Sequence, residues 1–285
     1  MSTGKLVTLI DGSVYAESVC DHAIWTAERS GSAVELLHVI GRRQAGRQDV
    51  SGTIALGART SMLEELTKLE GEMARVGQKH GRALLDGAAN RIEAAGLPRP
   101  SSRLRIGDLI DETHEALEEA SMLVIGKRGE AADFARLHLG SNLERLVRSS
   151  AQPILVAARA FKPVTRVLIA YDAQASARKA VTAIGTNPMF KGLEVHVLMA
   201  GEDNGTSAKA LAEPVSALEN AGMTVTSELV SGKPPVEAIS ERANGEDVDM
   251  VVMGAYGGGR FRSMFIGSTT TEMLISCRVP VLLYR

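Results

Sequence analysis

Short apolar runs recur along the chain between longer amphipathic stretches. In the second half the runs are RVLIAY (166–171), LEVHVLM (193–199), TVTSELV (224–230), DMVVMG (249–254) and PVLLYR (280–285), each about the length of one strand. The stretches between them space their apolar residues at helical intervals, and helices are expected near 174–186, 205–221, 234–244 and 267–277. Runs rich in Val, Ile and Leu, set between amphipathic helices, predict a parallel sheet buried on both faces. With right-handed crossovers this gives a doubly wound α/β sandwich. The strand order taken for it is 3-2-1-4-5, in which strands 1 and 4 are neighbours.

The pattern occurs twice. KLVTLIDGSVYAESVCDHA (5–23) corresponds to RVLIAYDAQASARKAVTAI (166–184), SMLVIGKRG (121–129) to DMVVMGAYG (249–257), and HLGSNLERLVRSSAQPILVAAR (138–159) to FIGSTTTEMLISCRVPVLLYR (265–285). Asp11 thus falls on Asp172, Gly126 on Gly254, and Gly140-Ser141 on Gly267-Ser268. Correspondence in the same order indicates two copies of one module, with the expected domains at 1–160 and 161–285 and two five-stranded open sheets. The first copy is longer: Asp172 lies 161 positions after Asp11, whereas Gly232 lies only 125 after Gly107. The surplus lies between Ile40 and Gly107 and has Leu, Met and Ala at helical spacing. It is read as a helical excursion over about 54–95, broken by Gly71, Gly77, Gly81 and Gly87. An elongated connector is the first reading of this segment, with a lid or a partner surface as the alternative.

At 285 residues, 45% hydrophobic and 23% charged, the chain can bury two cores and is not disordered in composition. The net charge of −2 argues against broad electrostatic binding to nucleic acid. No run approaches the ~18 apolar residues of a membrane span. MSTGKLVTLIDGS enters a strand directly instead of presenting a basic region and a long apolar segment, so a cytoplasmic location is expected. Cys20 and Cys277 have no partner spacing and the six histidines form no HxH or HExxH pair, so neither a disulfide framework nor a metal site is indicated.

The residues with chemistry gather where an open parallel sheet binds ligands, beyond the carboxyl ends of strands 1 and 4. Asp172 ends strand 1 of the second copy, and strand 4 runs into GAYGGGRFRSMFIGSTT (254–270). Gly254 and Gly257 free the backbone to approach a ligand or to take positive φ. Gly267-Ser268-Thr269 opens a helix, whose unpaired N–H groups and dipole suit an anion. The hydroxyls of Ser268 and Thr269 add donors, and Arg260 and Arg262 add charge. An aspartate at a strand end can accept from ribose hydroxyls. The same residues also have a plain structural use: Ser268 as a helix N-cap assisted by Glu272, and Asp172 as a cap of the helix after it.

The spacing G-x2-G-x9-G-[S/T], here Gly254, Gly257, Gly267 and Ser268, resembles the ATP-binding signature of the universal stress protein family, and the strand-ending aspartate and the closing PVLLYR strand fit it too. The resemblance covers both copies. It implies ATP as ligand, with Asp172 at the adenosine, Met199 bordering the adenine, and Gly254, Gly257, Gly267, Ser268 and Thr269 around ribose and phosphates, Arg260 supplying charge. In the first copy Asp11, Val39, Gly126, Gly129, Gly140 and Ser141 take the equivalent places. There the arch is one residue longer and contains Glu130 and Asp133, which oppose a triphosphate unless they point away or hold Mg²⁺. Lys127, Arg128 and Arg136 are available to offset them. The resemblance also implies that PILVAA (153–158) and PVLLYR pair as edges, making a pseudo-twofold dimer within one chain. A homodimer of whole chains stays open.

The function these features imply is adenine-nucleotide binding that modulates association with an unidentified protein partner. No GxxxxGK[ST] loop and no recognisable general base is present, so enzyme status stays open, with slow ATP hydrolysis and a ligand-free interaction scaffold as alternatives.

Overall fold

The computed structural model describes residues 4–41, 56–129, 140–245, 247–255 and 267–285. The first repeat runs β1 (Lys5–Leu9), α1 (Ala16–Ser30), β2 (Ala33–Gly41), α2 (Leu56–Ala94), β3 (Ser101–Gly107), α3 (Leu109–Leu117), β4 (Ala120–Gly126), α4 (Ser141–Ser149) and β5 (Ile154–Ala157). The second runs β6 (Arg166–Ala170), α5 (Ala175–Thr186), β7 (Glu194–Ala200), α6 (Gly205–Asn220), β8 (Thr224–Val230), α7 (Pro235–Ala243), β9 (Met250–Gly254), α8 (Ser268–Ser276) and β10 (Val281–Tyr284). All five strands read in the second half are present. So is the 3-2-1-4-5 order, in both halves.

The two halves do not remain separate sheets. β5 and β10 pair antiparallel, with Val281 opposite Val156, Leu282 opposite Leu155 and Leu283 opposite Ile154, so the whole is one ten-stranded sheet. Every other pairing is parallel. One reversal in the middle turns the strands of the second half against those of the first, so their carboxyl ends lie on opposite edges of the sheet. The side chains of the central pair alternate between faces. Leu155 and Leu282 join the core under α1, α2, α5 and α6, whereas Ile154, Val156, Val281 and Leu283 join the core under α3, α4, α7 and α8. Both cores therefore run unbroken through the two repeats.

Polar contacts add to this seam. Arg29 on α1 stacks over Trp25, 5.6 Å from the ring centre, and donates from Nε to the Met189 carbonyl of the second repeat at 2.6 Å. Ser18 donates to the Ala158 carbonyl at 2.8 Å, tying α1 to the chain just past β5.

The helical surplus of the first repeat is one continuous helix of 39 residues, Leu56–Ala94, about 58 Å long at 1.5 Å per residue. Its glycines do not break it, contrary to the expectation from sequence. A Cβ at Gly81 would lie 2.7 Å from His38 Cδ2 and 2.7 Å from Leu104 Cδ1, so this glycine is where the helix presses on β2 and β3. Gly71 and Gly87 meet nothing within 4 Å and are simply accommodated. The contact is confined to the C-terminal half of α2, where Leu85, Ala88, Ala89 and Ile92 are buried. The described residues between 67 and 76 are exposed.

These two glycine environments separate in a thermal melt. Gly87→Ala should stabilise the fold by about 0.5–1 kcal/mol by removing backbone freedom from the unfolded chain. Gly81→Val should destabilise it by about 1–3 kcal/mol through overpacking against His38 and Leu104. A Gly81→Val protein as stable as the parent would mean that α2 does not sit on β2 as described.

Candidate functional site

At the carboxyl edge of the first repeat, β1 and β4 are neighbours and their loops diverge around a cleft of about 230 Å³. Asp11, Val39, Gly126, Gly129, Gly140 and Ser141 all line it. They come from four stretches of the sequence, and the sheet topology brings them together. The Asp11 carboxylate accepts from the Ser13 amide at 3.1 Å, which fixes the turn leaving β1. A Cβ at Gly129 would stand 3.2 Å from Asp11 Oδ2, so the missing side chain is what lets the loop after β4 fold down beside the carboxylate.

The floor of the cleft includes residues that the sequence did not single out, among them His38, Leu109 and Asn142. His38 is buried, and its Nδ1 donates to the Ile10 carbonyl at 2.7 Å, which leaves Nε2 as an acceptor in the neutral ring. The available signal was a histidine inside the apolar run ELLHVI, where a polar ring needs a partner.

α4 begins at Ser141 with Gly140 as its N-cap residue (φ −58°, ψ 128°), and α8 begins at Ser268 with Gly267 in nearly the same conformation (φ −57°, ψ 141°). Neither start has a side-chain cap. Ser268 is therefore the first helical residue and not the cap, and the N–H groups of both first turns face outward without intrahelical partners. Asp172 does not cap α5 either, because Gln174 holds that position. The Asp172 carboxylate accepts from the Gln174 amide at 3.0 Å, the same local turn that Asp11 makes. Ala173 follows with φ of 58°, an uncommon conformation for a residue with a Cβ.

In the second repeat Asp172, Met199, Gly254, Gly267, Ser268 and Thr269 belong to the equivalent elements, with Asp172 and Ser268 exposed and the other four partly buried. Gly257, Arg260 and Arg262 lie outside the described residues, as does the arch of the first copy with Glu130, Asp133 and Arg136. Gly254 has a packing reason that the sequence did not show. Its φ is not positive, and a Cβ on it would lie 2.9 Å from Ser176 Cβ. Gly126 stands in the same relation to Tyr15, with a Cβ–Cβ distance of 2.9 Å. Both glycines are required by the start of the helix after the first strand. The hydroxyl of buried Thr270 adds a tie absent from the first copy, donating to the Ala255 carbonyl at 3.2 Å.

Lys127 is also placed differently. Its ammonium leaves the cleft, crosses the seam and donates to the Cys277 carbonyl at 2.5 Å, with Ile275 at 3.5 Å, at the C-terminal end of α8. The negative end of the helix dipole favours a cation there. Burial nevertheless lowers the Lys127 pKa to about 8. Arg285 answers from the other side, donating from Nη1 to the Ser149 carbonyl at the end of α4, 3.3 Å away.

A model of the universal stress protein family matches residues 3–158 and again 163–285. The chain belongs to this family, as a tandem member. It is 34% identical to the universal stress protein Slr1230 of Synechocystis sp. over 99% of both chains. Among solved structures it superposes on a universal stress protein from Archaeoglobus fulgidus with a TM-score of 0.71 at 23% identity, covering 100% of this chain and 99% of that one. A putative universal stress protein from Pseudomonas aeruginosa gives a TM-score of 0.58 at 15% identity, over 99% and 93% of the two chains. The structural likenesses show the shared fold. Among the described residues no helix is long and apolar enough to cross a membrane.

The position of Lys127 has a pH signature. A lysine pKa lowered on folding means that the cost of holding the buried ammonium is present in full below about pH 8 and is relieved as pH rises towards the unfolded value of 10.5. Comparing Lys127→Met with the parent removes the background from other groups. Between pH 7 and 10 the stability difference should move in favour of the parent by about 2 kcal/mol. A difference that stays constant with pH would place the ammonium in solvent.

Proposed function

We propose that the chain binds an adenine nucleotide, ATP, at the carboxyl edges of its two repeats, and that occupancy modulates association with a protein partner without dedicated catalysis. The observation that carries this reading is the cleft of the first repeat. One acceptor carboxylate, a loop held close to it by Gly129, and an uncapped helix start with a hydroxyl at its first position surround a single space. The donors suit phosphate oxygens, and Asp11 suits ribose hydroxyls. Val39 and the apolar floor at Leu9 and Ile125 suit the flat base. In the second repeat Asp172, Met199, Gly254, Gly267, Ser268 and Thr269 carry the same assignment, with Gly257 and Arg260 supplying the arch.

No group of three or more His, Cys, Asp or Glu side chains that could hold a metal gathers among the described residues. A Mg²⁺ accompanying ATP would then take most of its ligands from phosphates and water, as Mg²⁺ commonly does. The proposal also covers the site of action, which is the cytoplasm, and the absence of nucleic acid as a partner, on the grounds of the net charge.

The test begins with purified protein, denatured and examined for released nucleotide by absorbance and mass spectrometry. Bound ATP supports the reading, and ADP formed over many turnovers would instead make the protein a hydrolase. Protein that is empty and does not bind added ATP would be an interaction scaffold. Gly140→Asp and Gly267→Asp sharpen the result, because an aspartate at an N-cap position supports the helix while its charge repels a phosphate. Each variant should melt no lower than the parent, and the double variant should lose at least about tenfold in ATP affinity, equivalent to ~1.4 kcal/mol. Unchanged affinity in the double variant would remove the site assignment.

A further inference from the structure

The N-terminal half of α2 stands free of its own domain. The helix runs antiparallel to the strands, with Gly77 level with Ile40 near the end of β2 and Gly81 level with His38. The residues before Gly77 therefore project beyond the carboxyl edge of the first repeat. Twenty-one residues, 56–76, amount to an arm of about 30 Å.

The arm carries apolar side chains in solvent. Of the five large hydrophobic residues exposed among those described, three lie on it: Leu69 (50%), Met73 (62%) and Val76 (67%). Their spacing of four and then three is that of a coiled-coil seam, and the sequence continues the same spacing back to Leu66 and Met62. A solvated connector helix does not need such a stripe, and the core-facing residues of α2 occupy a different face of the helix.

Charge along the arm identifies the occupant. Glu64, Glu65, Glu70 and Glu72 fall in its N-terminal part with two cations, Arg59 and Lys68, whereas Arg75, Lys79 and Arg82 follow without an acid until Asp86. The basic group lines a shallow groove with Gln78, Ala83 and, at its far end, Asp86. A helix that is acidic at one end and basic at the other complements itself when reversed. An antiparallel pair centred on Gly71 sets Leu69 against Met73 of the second copy and Glu65 against its Lys79. A parallel pair would set acid against acid and base against base. Glu72 of each copy falls beside the twofold axis, a local cost that the flanking cations at Lys68 and Arg75 reduce.

We propose that α2 is a homodimerisation arm, and that two copies of the chain associate through an antiparallel two-stranded coiled coil along Leu69, Met73 and Val76. The interface is distinct from the β5–β10 seam, which is satisfied within one chain. It does not depend on nucleotide binding.

Sedimentation or light scattering of the full chain across a concentration series provides the test. The parent should show a reversible doubling of mass. Met73→Glu should remain monomeric at the concentration where the parent is dimeric, with unchanged circular dichroism and melting of the body. Glu65→Lys and Lys79→Glu should each weaken self-association, and an equimolar mixture of the two should recover the dimer, since each reversed charge then meets its opposite. A parent that is monomeric throughout would overturn the proposal. So would a dimer indifferent to Met73→Glu, or a mixture of charge variants no better associated than either alone.

Discussion

The antiparallel pairing of β5 with β10 is the interaction on which the rest of the molecule depends. Each strand is four residues long and buried throughout. Left unpaired, each would present an apolar edge to solvent, the arrangement that invites aggregation. Pairing removes both edges at once and merges the cores on the two faces of the sheet. The edges that remain are of another kind. β3 carries Arg103 and Arg105, and β8 carries Thr224, Thr226 and Glu228, and neither strand has a fully buried residue. Polar, charged outer strands and an apolar inner seam leave one favourable way to assemble the sheet.

The same reversal sets the geometry of the candidate sites. Because the strands of the two repeats run in opposite directions, the cleft at Asp11 and the equivalent position at Asp172 open on opposite edges. The amino edge of the second repeat lies beside the carboxyl edge of the first, which is why Lys127, in the loop after β4, reaches the C-terminal end of α8. α8 thereby has its first turn among the residues of one candidate site and its last turn held by the loop of the other.

The repeat and the strands were legible in the sequence, because a strand buried on both faces writes itself as a local run of Val, Ile and Leu, whereas the order 3-2-1-4-5 was assumed and is found in both halves. The surplus helix was legible too, within two residues at either end, from its spacing alone. Its glycines were misread because a sequence records only that a Cβ is missing. Gly81 sits in the middle of a helix and against His38, and nothing in neighbouring residues distinguishes that from a break. Gly254 illustrates the same limit, since its close neighbour Ser176 lies 78 positions earlier and on another element. Lys127 was placed correctly along the chain but not in direction, because its partner carbonyls belong to the other repeat. The convergence of Asp11, Gly129 and Ser141 on one cleft follows from the topology, and the strand order supplied it in advance.

The seam is closed by a connection of eight residues, 158–165, between β5 and β6. A short tether of this kind holds its two ends at an effective concentration of about a millimolar or more. Two free modules with such strands would each pair with their own kind as readily as with the other, and selection would hold both to one self-complementary surface. Covalent linkage lifts that requirement, because every seam then joins unlike halves. One half is free to acquire a long helix, and the other a threonine at the start of its last helix, without any need for its neighbour to do the same.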